Sequence, residues 1–213
     1  SSLDTKFKKA EVVPISTKVE DEFTKRFMNH LWYTMLYGGL GGWKIFERYM
    51  RHLLCKKPAT EFQCRKCVGM TDDAYKNLVP ITLGGCVRIK FTIHIIEAAK
   101  KTPNTVFYST DQYLKLIDFV YQDDKNHFHA FQATIGKTHK ATPKYIKELQ
   151  KKVGGGKNLS LYYLVPAETF HGFVTHPVNP GIKDEGITCD IYHVKVPKPN
   201  DESTVTAKEE QEI

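Results

Sequence analysis

The chain has 213 residues, 41% of them hydrophobic and 26% charged, an ordinary globular composition and enough length for one domain with appendages. No run of 18 apolar residues occurs, so no transmembrane helix is predicted and no membrane partner is expected. The formal charge is +7; residues 198–213 carry Asp201, Glu202, Glu209, Glu210 and Glu212 against Lys198 and Lys208, a net −3, so the remainder carries +10. A body this basic favours polyanions, nucleic acid first and an anionic membrane surface second. The polar start offers no signal peptide, and Ser1 in first position fits a piece of a longer protein.

Residues 1–16 read as an extended lead-in. Thr17-Lys18-Val19-Glu20 is a capping-box pattern and should open a helix with Phe23, Phe27, Met28, Leu31 and Met35 as its apolar stripe. Gly38, Gly39, Gly41 and Gly42 break it. A second helix is expected from about Trp43 to Leu54, with Trp43, Phe46, Met50, Leu53 and Leu54 inward. Glu47 falls inside that stripe, and a carboxylate there needs a partner; Arg51 at i+4 is the simple one. His52, Cys55, Cys64 and Cys67 have a spacing that zinc can use, although buried or incidental thiols are the commoner outcome, and five cysteines make no disulfide framework, which fits a reducing, intracellular location.

Residues 56–85 read as irregular. Val87 to Ile96 reads as a strand, or a strand running into a helix. Then comes a hairpin: Leu116-Ile117-Asp118-Phe119-Val120-Tyr121, the turn Asp123-Asp124-Lys125-Asn126, and Phe128 to Ile135. Centring the turn on Lys125 sets Asp118 opposite Gln132, roughly 5 Å apart, with Thr134 on the same face. Thr142-Pro143 is a helix start, the helix running to Val153 and stopping at Gly154. Tyr145, Ile146, Leu149 and Val153 form its buried side; Lys144, Lys147 and Lys151 form a basic one. Leu159 to Val165 is continuously apolar, as a strand buried on both faces is, and Ile191 to Val196 is expected as an edge strand. Residues 198–213 read as a disordered acidic tail, leaving 17–197 as the domain. The order helix, strand, hairpin, helix, strand implies an α/β layer with a mixed sheet, and the step from the second hairpin strand to Leu159 implies a right-handed crossover.

Gly136-Lys137-Thr138 imitates a phosphate-binding loop, but the position five residues before Gly136 holds Phe131, where glycine is required, and Gly156-Lys157 is followed by Asn158. The hairpin suits a magnesium-dependent phosphodiesterase site better. Asp118 would be the central ligand, with Gln132 lending an amide oxygen and Glu47 approaching from the helix. Lys137 or His139 would steady negative charge or handle a proton, and Lys137, Lys140, Lys144, Lys147 and Lys151 would hold the phosphate backbone.

A helix bearing Glu, an Asp on a strand, a polar pair two apart on the next strand and then a helix resemble the restriction-endonuclease-like superfamily, PD-(D/E)xK. The strings GGWKIFERYMRHLL, LIDFVYQ, FHAFQATIGKTHKAT and LSLYYLVPAETFHGFV resemble the C-terminal region of trypanosome retrotransposon hot spot proteins, which are related to the nuclease-like domain of crinkler effectors; the resemblance spans roughly residues 40–175. It implies a restriction-endonuclease-like fold, descent from a DNA-cleaving domain, an upstream ATPase domain in a larger parent, and a nuclear setting. The superfamily's third motif, Glu-x-Lys, is here Gln132-x-Thr134, with one charge fewer for a metal and one cation fewer for a phosphate. Lys137 substitutes for that cation only if the strand turns at Gly136. Two functions follow as expectations: a metal-dependent nuclease, or a degenerate nuclease fold that binds nucleic acid or protein.

Overall fold

The computed structural model describes residues 32, 35–36, 42–55, 59–67, 78–86, 88–92, 94–108, 117–140, 142–176 and 187–199, with backbone alone at 88–91, 157 and 176. The lead-in, most of the first expected helix and nearly all of the acidic tail lie outside these residues. Helix α1 (Gly42–Cys55) is followed by strands β1 (Thr60–Lys66), β2 (Val79–Leu83) and β3 (Arg88–Phe91). After helix α2 (Ile95–Lys101) come β4 (Thr105–Tyr108), β5 (Phe119–Gln122), β6 (Phe128–Ala133) and β7 (Thr138–Lys140). Helix α3 (Pro143–Val153), β8 (Leu159–Pro166), the short α4 (Ala167–Phe170), β9 (Val174–His176) and β10 (Asp190–Val196) complete the order.

Among the described residues eight strands join in one mixed sheet, in the order β2-β1-β10-β8-β6-β5-β4-β3, while β7 and β9 pair separately. The centre is parallel: β10 on β8, and β8 on β6. A parallel step needs a covering crossover, and α3 supplies it between β6 and β8. Its Ile146, Leu149 and Val153 are buried against the sheet, and it ends at Gly154, whose φ of 97° is the left-handed conformation glycine adopts readily. Strand β8 is buried at every residue, which explains its unbroken apolar run.

The sheet divides two apolar layers. On one side α1 packs Phe46, Met50 and Leu54 against Phe119, Phe131 and Leu164. On the other, α2, α3 and α4 cover Val120, Ala130, Leu161 and Tyr163. The end of α1 is tied down by the Cys86 N–H, which donates to the Leu54 carbonyl at 3.2 Å. The close approach needs Gly84: its φ is +98°, and a Cβ there would lie 2.6 Å from the Leu54 oxygen.

Several expectations require correction. Residues 56–85 contain two strands, β1 and β2. Because they extend the sheet, β10 is an interior strand between β1 and β8, not an edge. Strands β4, β7 and β9 have no counterpart among the expected elements. Trp43 does not join the core and is 47% exposed, whereas Trp32, absent from the expected stripe, is fully buried beside Met35.

Candidate functional site

Asp118 sits at a bend immediately before β5. The hairpin register pairs Phe119 with Phe131 and Val120 with Ala130, so Asp118 comes level with Gln132. The Gln132 amide Nε2 donates to Asp118 Oδ2 at 2.8 Å, and the Ala133 N–H donates to the same oxygen at 2.7 Å. The Asp118 N–H meanwhile donates to the Phe131 carbonyl, one residue off the regular register. The carboxylate thus takes over a main-chain donor where the ladder ends. That point is the carboxyl end of the parallel strands β6 and β8, the end where α/β sheets ordinarily hold ligands.

Glu47 reaches the same point from α1. Its carboxyl adjoins that of Asp118, close enough for each to shift the other's titration, while Arg51 and Lys44 act on it through charge. Burial first, then the neighbouring Glu47, push the Asp118 carboxyl up to about 8. Burial also raises Glu47, against the pull of Arg51. Two carboxyl groups in contact in a desolvated place cannot both ionise cheaply, so they share a proton that belongs to the pair. The Arg51 guanidinium, whose charge acts on Glu47, lies 4.1 Å over the Tyr108 ring.

The other expected residues are dispersed. Thr134 is buried, and its hydroxyl accepts the Gly136 N–H at 3.3 Å. The chain turns at Gly136-Lys137, and Lys137 is exposed. His139, on β7, is half-buried with its ring 5.4 Å from that of Tyr163; its Nδ1 is a buried atom without a hydrogen-bond partner, as is the Tyr163 hydroxyl. Burial lowers the His139 pKa. Lys140, Lys144 and Lys151 are exposed, and Lys147 is half-buried. Of the suggested zinc ligands, Cys64 packs in the α1-side layer and Cys67 against the opposite one. Among the described residues no group of three His, Cys, Asp or Glu side chains surrounds a common point.

The strand registers reveal a feature that sequence reasoning missed. Gln132 is level with Tyr163, Tyr163 with His193, and His193 with Arg65. With Asp118 these residues form a polar rank crossing five adjacent strands. At its far end Arg65 is buried; its Nε donates to His193 Nδ1 at 3.2 Å, and its Nη2 donates to the carbonyls of Phe170 and Phe173 at 3.1 and 2.8 Å. His193 Nδ1 is therefore an acceptor, so the ring proton sits on Nε2 and faces the Thr175 hydroxyl at 3.1 Å. Burial, then the Arg65 charge, keep this imidazole neutral, with its pKa lowered to about 3. Gln132, Tyr163, His193 and Arg65 lie on four different strands and Asp118 just before a fifth, and only the Asp118–Gln132 step is bridged by a short turn, so only that step was legible.

A second polar cluster lies toward the hairpin turn. Asp123 accepts the N–H groups of Lys125 and His127 and holds His129 Nε2 at 3.2 Å, while His129 Nδ1 meets the Tyr162 hydroxyl at 3.1 Å. Burial lowers the His129 pKa to about 4 despite Asp123, so this contact is a hydrogen bond to a neutral ring.

No known family's sequence profile matches the chain, and neither a curated protein nor a solved structure is matched by it.

Proposed function

We propose that this is a restriction-endonuclease-like domain acting on nucleic acid, with Glu47 and Asp118 holding a divalent cation. The observation that carries the reading is the meeting of these two carboxyls, one from a helix and one from a strand end, at the carboxyl end of the parallel strands. The element order supports it: α1, an antiparallel β4-β5-β6 meander, then α3 leading to a parallel β8. The donor set suits magnesium, a hard cation usually held by one or two carboxylates, other oxygens and water. Magnesium would supply charge stabilisation for the phosphate and a more acidic water. The chain's own part is to present both carboxylates from fixed positions. Gln132 and the Ala133 N–H orient Asp118, and Arg51 offsets the charge of Glu47. Assignment of the amide atoms of Gln132 follows from its donation to Asp118; a bound cation would favour the flipped amide, oxygen inward. By the same resemblance, the chain comes from the C-terminal region of a retrotransposon hot spot-type protein with an upstream ATPase domain, working in the nucleus.

A second reading rests on the third motif. Gln132 presents its NH2 group to Asp118, and Thr134 spends its hydroxyl on Gly136, so neither supplies the charge that Glu-x-Lys would. In this reading the fold has kept its nucleic-acid surface and lost cleavage. Incubation of plasmid and single-stranded DNA and RNA with magnesium or manganese separates the two. Strand scission abolished by Asp118→Asn establishes the nuclease; retained binding without scission assigns the degenerate module.

A further inference from the structure

We infer that Trp43 is a stacking platform for an unpaired base, making single-stranded nucleic acid the ligand class of the Glu47–Asp118 site. The inference rests on the nucleic-acid reading above and narrows it. Trp43 and Met50 are seven residues apart on α1, which puts them on nearly the same line of the helix. Met50 is fully buried against the sheet, yet Trp43 is 47% exposed. The indole therefore continues the core-facing line of the helix past the edge of the core. Glu47 follows it at i+4, so the Cβ atoms of Trp43 and Glu47 are about 6 Å apart on one face. Glu47 in turn contacts Asp118. Trp43 thus lies one turn along α1 from the carboxyl pair.

Among the described residues Trp43 is the most exposed aromatic, and the other exposed large apolar residues, Leu78 and Val79, lie at β2 on the sheet's edge. The Lys44 ammonium lies over the indole, 5.3 Å from its centroid, so one face of the ring carries a cation and a base would stack on the other face. A base stacked on the indole would bring its phosphate toward Lys44, and the net charge of +7 favours the polyanion. Stacking is available only to bases released from pairing, because every base has a π-face but a duplex hides it. A protein partner for the same ring would have no need of the adjoining cation or of the carboxyl pair a turn away.

The test compares a labelled single strand, the matching duplex and an abasic strand of equal length, for the parent chain, Trp43→Ala and Trp43→Phe. The base-bearing single strand should bind the parent tightest. Trp43→Ala should weaken it by about tenfold or more, Trp43→Phe by less, and binding of the abasic strand should be unchanged. Unchanged melting temperature in both variants shows that the fold is intact, as expected for a half-exposed side chain. Equal binding of base-bearing and abasic strands, or no effect of Trp43→Ala, overturns the stacking role while leaving the nucleic-acid reading in place. Absence of binding to any strand overturns both.

Discussion

A carboxylic acid placed where it cannot ionise freely makes stability fall as pH rises. Unfolded, Asp118 titrates near 3.8; folded, burial and Glu47 hold its proton to about 8. Between those values the folded chain binds more protons than the unfolded one, so this group's contribution to stability declines from about pH 4 upward and levels off near pH 8. Asp118→Asn keeps an acceptor for the Ala133 N–H and offers Glu47 a donor. It should stabilise the cation-free protein by at least about 2 kcal/mol at pH 7, since a tenfold difference in proton affinity between the folded and unfolded chain is worth about 1.4 kcal/mol, and should flatten the profile. Urea unfolding at pH 4.5, 6 and 7.5 measures this; a parent profile parallel to the variant's over that range would remove the shared proton. The site's geometry was legible here because a short turn fixes register: centring on Lys125 gave the observed Asp118–Gln132 pairing. Glu47 was legible as a polar residue in an apolar stripe. The same stripe misplaces Trp43, because periodicity reports which side of a helix a residue is on and says nothing of where the sheet ends beneath it.

Arg65 ties down the turn between β8 and β9, where Trp32 Nε1 also donates to Glu168 at 2.6 Å. Arg65, from β1, donates to the Phe170 and Phe173 carbonyls and lies 4.6 Å over the Phe170 ring. Arg65→Met would leave two carbonyls and His193 short of a donor and should cost about 3 kcal/mol, the scale of lost buried charge-assisted bonds. Native-state hydrogen exchange should show the α4–β9 segment opening first. Uniform loss of protection over the whole sheet would mean that Arg65 fills space without clamping this segment. Nothing in the sequence marks Arg65 for that role. Its strand alternates weakly, carries Gln63, Cys64 and Lys66, and pairs with β10, a partner more than a hundred residues away. Elements with local signals, such as the Pro143 start and Gly154 stop of α3, are legible to the residue. Those made by distant pairing, β1, β2 and the interior place of β10, are not, since parallel and long-range registers leave no local trace.

Across the whole molecule the charge excess is the feature that bears on partners. If Lys144, Lys147 and Lys151 contact phosphates, replacing all three with Glu should weaken nucleic-acid binding and lower the slope of log affinity against log salt by up to about three units. Such contacts carry no base information, so sequence preference should be weak. Unchanged affinity would assign this face of α3 to solubility. The central claim, however, is that Glu47 and Asp118 act as one cation-binding unit, and it is tested most directly by calorimetric titration of manganese into the protein at pH 7 in two buffers of different ionisation enthalpy. A cation that takes the site must displace the shared proton. Binding should therefore release about one proton per cation, and Asp118→Asn should lose both binding and release. Binding without proton release, or binding that survives Asp118→Asn undiminished, would contradict the shared site.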